Sequence, residues 1–419
     1  MANYGQVYSV LNDVASMALG EGAIQAIDTT SFVALGNQVL ATDTNVSKFY
    51  QALPDVIGRI VSRYQKIKRR TRDIERTPLD FGIALMEIEI DSIARATENR
   101  TWEDTSKVDP TGIGDTSGNI VYKDYTSLSS SIYSKISGWS IEKIIYDRQL
   151  KTAFRNETEM ASFINMIFQD MYNGMTLALN DAEMLAEGVA IMQELYANDA
   201  ANPNRQKTAV NLLSEYNTTF SQSLTPANCI YDKDFLQWSI YKIKRDIVNA
   251  SQVSNFYTPA QESVNGDAVE RELGDFKIHV LSDFAGAAES YLYSDTFHEN
   301  FVKLGGYSEI VTWQNRTGAT FAGNDDMLTR GQLDLAIEDL VTPTKLTTMD
   351  GTDMCVLAHV FADGRMISMI DDIRTKSFYN PIGERTTYSH KADIGYAVRP
   401  KEIGITYYIG DAPTFTTAT

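Results

Sequence analysis

Two cysteines, four histidines and ten prolines are all that 419 residues hold of these types, and each scarcity closes off a class of protein. Cys229 and Cys355 stand far apart and match no CxxC metal or redox spacing, so both read as small core residues. His279, His298, His359 and His390 have no second His or Cys three to five residues away, which removes a zinc site of common spacing. No uninterrupted apolar run reaches the roughly 20 residues that cross a bilayer. The opening MANYGQVYSVLNDVASMALG has no basic stretch ahead of its apolar residues, and the expectation is a protein made in the cytoplasm, away from any membrane. Positive charge is short as well. Lys and Arg total 37 against 55 Asp and Glu, a net charge of −18, so the molecule as a whole repels nucleic acid rather than gripping it.

What remains is the composition of a folded protein, with 43% hydrophobic and 22% charged residues, and a length that predicts two to four compact units. Chemistry is hard to find in it. There is no G-x-S-x-G elbow and no Walker A motif, and GIGDTSG misses the dinucleotide fingerprint because Gly118, not Ser117, closes it. The acidic pairs Asp325–Asp326 and Asp371–Asp372 read as solvated carboxylates in preference to a cation site. No cofactor and no metal is expected.

The organisation is more telling. The first 45 residues carry short apolar groups broken by Gly and Thr and read as an extended arm. SKFYQALPDVIGRIVSRYQKIKRRTRDIER then puts Val56, Ile60, Tyr64 and Ile67 at helical spacing, with Arg59, Arg63, Lys66, Lys68, Arg69, Arg70 and Arg72 around them. Those cations face solvent, DNA or an acidic neighbour, and the acidic whole favours the neighbour over DNA. In GIALMEIEIDSIA, Met86, Ile88 and Ile90 alternate with Glu87, Glu89 and Asp91, the period of a half-solvated strand. A turn-rich tract with Pro110, Gly112, Gly114 and Gly118 follows, and IVYKDYTSLSSSIYSKISGWSIEKIIY returns as strand. Together they predict a long projecting hairpin, which needs a partner subunit because a lone two-stranded ribbon is marginal in water. Asn156 and Glu159 resemble a capping box, and Met160, Phe163, Ile164, Ile167, Phe168, Met171, Met175, Ala178, Ala182 and Leu185 keep one face of a helix of about 30 residues. Helices at TAVNLLSEYNTTF and DKDFLQWSIYKIKRDIV and strands at FKIHVLSDF and MCVLAHV make the remainder a mixed region, which IGYAVRPKEIGITYYIG closes as sheet.

This order of arm, long loop, spine helix, α/β region and closing strand resembles the major capsid proteins of tailed bacteriophages, the Hong Kong 97 type. Residues 137 to 188 look like that family's return strand, linker and spine helix ending in a small-residue turn, and AVRPKEIGITYYIGD is similar to its last peripheral strand. The resemblance implies an α+β fold. In it, 1–45 is an N-terminal arm, 46–81 the first part of a peripheral domain, 82–142 the extended loop and 143–200 the peripheral domain with its spine helix. An axial domain follows over 201–390, with peripheral strands near 270–350, and the closing peripheral strand over 391–419. It further implies a shell of hexamers and pentamers around double-stranded DNA in the virion, made in the bacterial host cytoplasm. The partners would be many copies of the chain, a portal and, since the first 45 residues lack heptads, a separate scaffolding protein. Candidate inter-subunit contacts are Arg69, Arg70, Arg72, Trp102, Lys107 and Lys123. Two other readings stay open: an encapsulin-like nanocompartment shell, and an α/β enzyme using His298 or His359 with a nearby carboxylate.

Overall fold

The computed structural model describes residues 4–57, 74–78, 85–90, 128–133, 136–154, 157–198, 207–251, 257, 275–293, 307–313, 327–333, 335–338, 346–350, 353–370, 374–400 and 402–417. The chain opens with three helices, α1 (Tyr4–Leu19), α2 (Thr29–Val39) and α3 (Asp43–Ile57). The extended arm expected over the first 45 residues is therefore a helical layer. Asp28 caps the N-terminus of α2 through a capping box with Ser31. Leu11, Val14, Phe32, Leu35, Val39 and Phe49 are buried together against Phe154, Phe163 and Met171, at the i, i+3 and i+4 positions that make each short helix amphipathic.

Strands β1 (Glu75–Pro78), β2 (Leu85–Ile90), β3 (Leu128–Tyr133) and β4 (Ile136–Tyr146) come next. β2 and β3 pair antiparallel as a two-stranded sheet, Leu85 opposite Tyr133 and Ile90 opposite Leu128. β4 does not extend this hairpin; it leaves to pair with a later strand. Helix α4 (Asp147–Ala153) leads into α5 (Glu157–Ala197), 41 residues long and about 60 Å from end to end at 1.5 Å per residue. The small-residue turn expected at Gly188 is not there. The helix runs on through Ala186, Gly188 and Ala190, all buried, because small side chains let it lie close on the strands beneath it. Asn156, the expected cap, lies outside the described residues.

The remaining elements are β5 (Ala209–Asn211), α6 (Leu212–Phe220), α7 (Lys233–Ser251), β6 (Phe276–Leu281), α8 (Ser282–Tyr293), β7 (Ser308–Ile310), α9 (Met327–Arg330), β8 (Leu335–Glu338), β9 (Leu346–Asp350) and β10 (Met354–Ala362). They are followed by β11 (Met366–Ile370), β12 (Arg374–Asn380), β13 (Arg385–Val398), β14 (Gly404–Gly410) and β15 (Thr414–Thr417). One sheet is built on β13, with β4 along one side and β12 and β11 sharing the other, and β1 parallel to β11. Alternating burial along β13 marks it as half-solvated. The second sheet has the order β5-β14-β10-β6-β7, and all nine residues of β10 are buried, which explains its unbroken apolar run. A third, small sheet joins β15, β9 and β8.

Two expected boundaries shift. β13 passes through position 391 without a break, and the two closing strands part company: β13 joins β4, whereas β14 joins the strands of the middle region. Spine helix α5 packs on both sheets. Met175, Ala178, Leu179 and Ala182 meet Ala392 and Ile394 of β13, and Ala186, Val189 and Ala190 meet Phe361, Met366 and Val398. Cys229 and Cys355 are buried thiols that form no disulfide, and burial pushes the Cys229 thiol up to about 12.

Candidate functional site

Where α5 crosses the second sheet, its apolar face gives way to carboxylates. Glu187 and Glu194 are seven residues apart and so share one face, and both are buried. Beneath them the strand register sets three side chains in a row: His279 of β6 opposite His359 of β10, and His359 opposite Thr406 of β14. Arg365 enters from the tight turn after β10, where Gly364 takes a φ of +80° that few other residues adopt at low cost.

Glu194 is the hub. Its Oε1 accepts from Arg365 Nε at 3.0 Å and from His359 Nε2 at 3.2 Å. Its Oε2 accepts from the Thr406 hydroxyl at 2.6 Å, and its main-chain carbonyl accepts from the Thr208 hydroxyl at 2.6 Å. Glu187 Oε1 accepts from His279 Nδ1 at 2.5 Å and lies 3.4 Å from His359 Nδ1. Arg365 Nη1 also donates to the carbonyls of Arg399 and Glu402, at 2.6 and 3.0 Å, so the guanidinium ties the helix to the segment between β13 and β14.

Both ring nitrogens of His359 face carboxylates, an arrangement that only the imidazolium satisfies, because each nitrogen must then donate. Burial works against that charge, but the Glu194 and Glu187 carboxylates outweigh it and hold the His359 pKa above its ordinary 6.5. Burial lowers the Arg365 pKa from 12.5 and leaves it a cation at neutral pH. Two cations thus face two carboxylates. Because the folded-state pKa of His359 is raised, its contribution to stability is complete below about pH 6.5 and is lost as pH climbs through the raised value. The unfolding midpoint of the subunit is expected to fall as pH rises above about 6.5, and His359→Gln to flatten that alkaline limb. Equal alkaline slopes for the two proteins would remove His359 from the network's charge balance.

Space around the hub is fully used. A Cβ on Gly404 would overlap Glu194 Oε1 and lie 2.6 Å from Arg365 Nε, and neither group can swing away without breaking its ion pair. Gly404→Ala is expected to cost about 1–3 kcal/mol as overpacking, read as a lowered thermal midpoint with an unchanged circular dichroism spectrum below it.

All five ionisable side chains of the network are sealed from solvent, and no group of His, Cys, Asp and Glu suited to a metal occurs among the described residues. The network's work is mechanical: it fastens the end of the long helix to the centre of a sheet. At the other end Tyr388 of β13 donates to the Tyr50 carbonyl of α3 at 2.8 Å, which fastens the N-terminal helices to the first sheet, and Tyr379 of β12 donates to Asp147 at 2.8 Å, which fastens α4 to it. His390, pushed down by burial, is a neutral core histidine bonded to Thr375.

The sequence-based site residues Arg69, Arg70, Arg72, Trp102, Lys107 and Lys123 all lie outside the described residues, as does His298. His359 is present but enclosed. Sequence reasoning missed Glu187, Glu194, His279 and Arg365; the available signal was a pair of acids seven apart inside a stripe of Ala, Val and Ile.

A chain that spends its buried charges on locking a 41-residue helix to a sheet, and keeps a hairpin outside both main sheets, is built as a structural subunit. It belongs to the family of Phi29-like phage major capsid proteins, whose model matches residues 11–403. It is a capsid-forming protein, and its place is the virion shell. The mixed helix-and-sheet fold expected from the sequence holds. The chain is similar to the capsid structure of Staphylococcus phage Andhra, at 10% identity over 82% of this chain and 84% of that one with a TM-score of 0.47. It is also similar to the capsid structure of Cyanophage P-SCSP1u, at 11% identity over 83% and 90% with a TM-score of 0.45. No curated protein matches it. No helix among the described residues is long and apolar enough to cross a membrane.

Proposed function

We propose that the chain assembles into hexamers and pentamers of an icosahedral head that encloses double-stranded DNA. The observation that carries this reading is the β2–β3 pair, a sheet of two strands among the described residues, with Met86 58% exposed. Such a ribbon is marginal alone and presents open edges, so its burial has to come from other copies. Arg69, Arg70, Arg72, Trp102, Lys107 and Lys123 are proposed to lie in those contacts, within the peripheral, loop and axial organisation given above. Net charge of −18 suits a container that must not bind its cargo tightly. A portal and a separate scaffolding protein complete the partner set, synthesis takes place in the bacterial host cytoplasm, and the chain catalyses nothing. The sealed network supports that last point, since no substrate reaches it.

Particles purified from infected cells and treated with nuclease test the reading. Resistant double-stranded DNA inside the shell is the expected result. Shells filled with an enzyme cargo instead would point to an encapsulin-like compartment.

A further inference from the structure

The outer face of the β4–β13–β12 sheet carries a feature that folding of one chain does not explain. Arg374 of β12 stands directly opposite Lys391 of β13, and Lys376 follows two residues along β12 on the same face. Like charges directly opposite on a sheet repel. Asp393 forms an ion pair with Arg374, and Glu142 of β4 stands on the same face across Ser389 from Lys376; Lys376 and Lys391 form no ion pair with a carboxylate among the described residues. Arg374, Lys376, Lys391 and Asp393, with Gly138, Trp139 and Ser140 of β4, line a cleft of about 420 Å³. Three cations and one carboxylate thus line a concave site, on a protein whose overall charge is −18.

Beside the cleft the same face turns apolar. The register sets Phe378 opposite Thr387 and Thr387 opposite Ile144, with Tyr146 at the next position outward on β4. Phe378 is 71% exposed, and Ile144 and Tyr146 are about half exposed. Aromatic and apolar side chains next to an arginine are the composition of a protein interface. A DNA backbone would use the cations and leave Phe378, Ile144 and Tyr146 in water.

We propose that this face receives an acidic, partly apolar segment of a second copy of the chain. Its carboxylates enter the Arg374, Lys376 and Lys391 cleft, and its apolar side chains cover Phe378, Ile144 and Tyr146. Charge complementarity selects the occupant: with 55 acidic residues against 37 basic ones, the surface of another copy is acidic on average. The proposal rests on the shell-subunit reading and adds the receiving surface to it.

Amine-reactive labelling read by mass spectrometry on the full chain, free and assembled, tests this. Lys376 and Lys391 are expected to react in the free subunit and to be protected in the shell; undiminished reactivity of both in the shell overturns the proposal. In parallel, Lys376→Glu with Lys391→Glu is expected to lower the assembled fraction about tenfold or more while the subunit stays folded by circular dichroism, and the paired Lys→Arg changes to assemble normally. Wild-type particle yield from the Glu pair, or intact shells that only lose packaged DNA, also overturns it. Wild-type chain run alongside separates the two levels: if it forms no assemblies either, it is the shell reading that fails.

Discussion

Glu194→Gln is expected to lower the stability of the subunit by about 3–5 kcal/mol, the cost of removing one partner from a buried ion pair. The side chain keeps its size, so no cavity opens. What is lost is the charge that offsets desolvation of Arg365 and His359, both sealed from solvent. The new amide also turns a donor toward one of three groups that themselves donate, Arg365 Nε, His359 Nε2 and the Thr406 hydroxyl. The Thr406 hydroxyl can rotate to accept, and His359 Nε2 can accept only if the ring gives up its proton; Arg365 Nε cannot accept at all. Denaturant unfolding of the soluble subunit, followed by circular dichroism and tryptophan fluorescence, measures the loss. A second variant separates lost charge from lost packing: replacing Glu194, His359 and Arg365 together by Leu, Leu and Met is expected to recover much of the stability, as apolar replacement of whole buried ion networks does elsewhere. A loss below about 1 kcal/mol for Glu194→Gln would place the network's weight in shape rather than charge.

Deleting residues 96 to 120 is expected to leave a soluble, folded subunit that closes no shell. The excised stretch lies between β2 and β3, whose register runs from Leu85 opposite Tyr133 to Ile90 opposite Leu128 and is set by residues that the deletion keeps. Among the described residues, every strand of the two main sheets and the whole spine helix lie outside it. Folding should therefore survive, while the area that neighbours share is lost; obligate interfaces bury on the order of 2,000–5,000 Å². Electron microscopy of the deletion product beside the wild type reads the outcome. Wild-type-like particles would remove this loop from assembly.

Local pattern carried much of the architecture. Alternation in LMEIEI reads as half-solvated sheet because a period of two has one meaning there. The spine helix was legible in type, but not in length. Gly188 reads as a stop since glycine costs about 1 kcal/mol in a helix interior, yet packing of Ala186, Val189 and Ala190 on Phe361 and Met366 outweighs it. The N-terminal helices were misread because α1 and α2 are short and draw their stability from tertiary contacts; Phe32, Leu35 and Val39 were visible, but the core they enter was not. The ionic network was the least legible part. Its members sit on α5, β6, β10, β14 and a turn, and only strand register brings His279, His359 and Thr406 into line. No spacing in the chain encodes that row.

Negative-stain electron microscopy with light scattering, on the chain expressed alone and then with its genomic neighbours, tests the central claim most directly. Shells, tubes or capsomers of megadalton mass are the predicted result in at least the second condition. A monodisperse monomer in both would contradict the account of this chain as a subunit whose missing burial is supplied by its own copies.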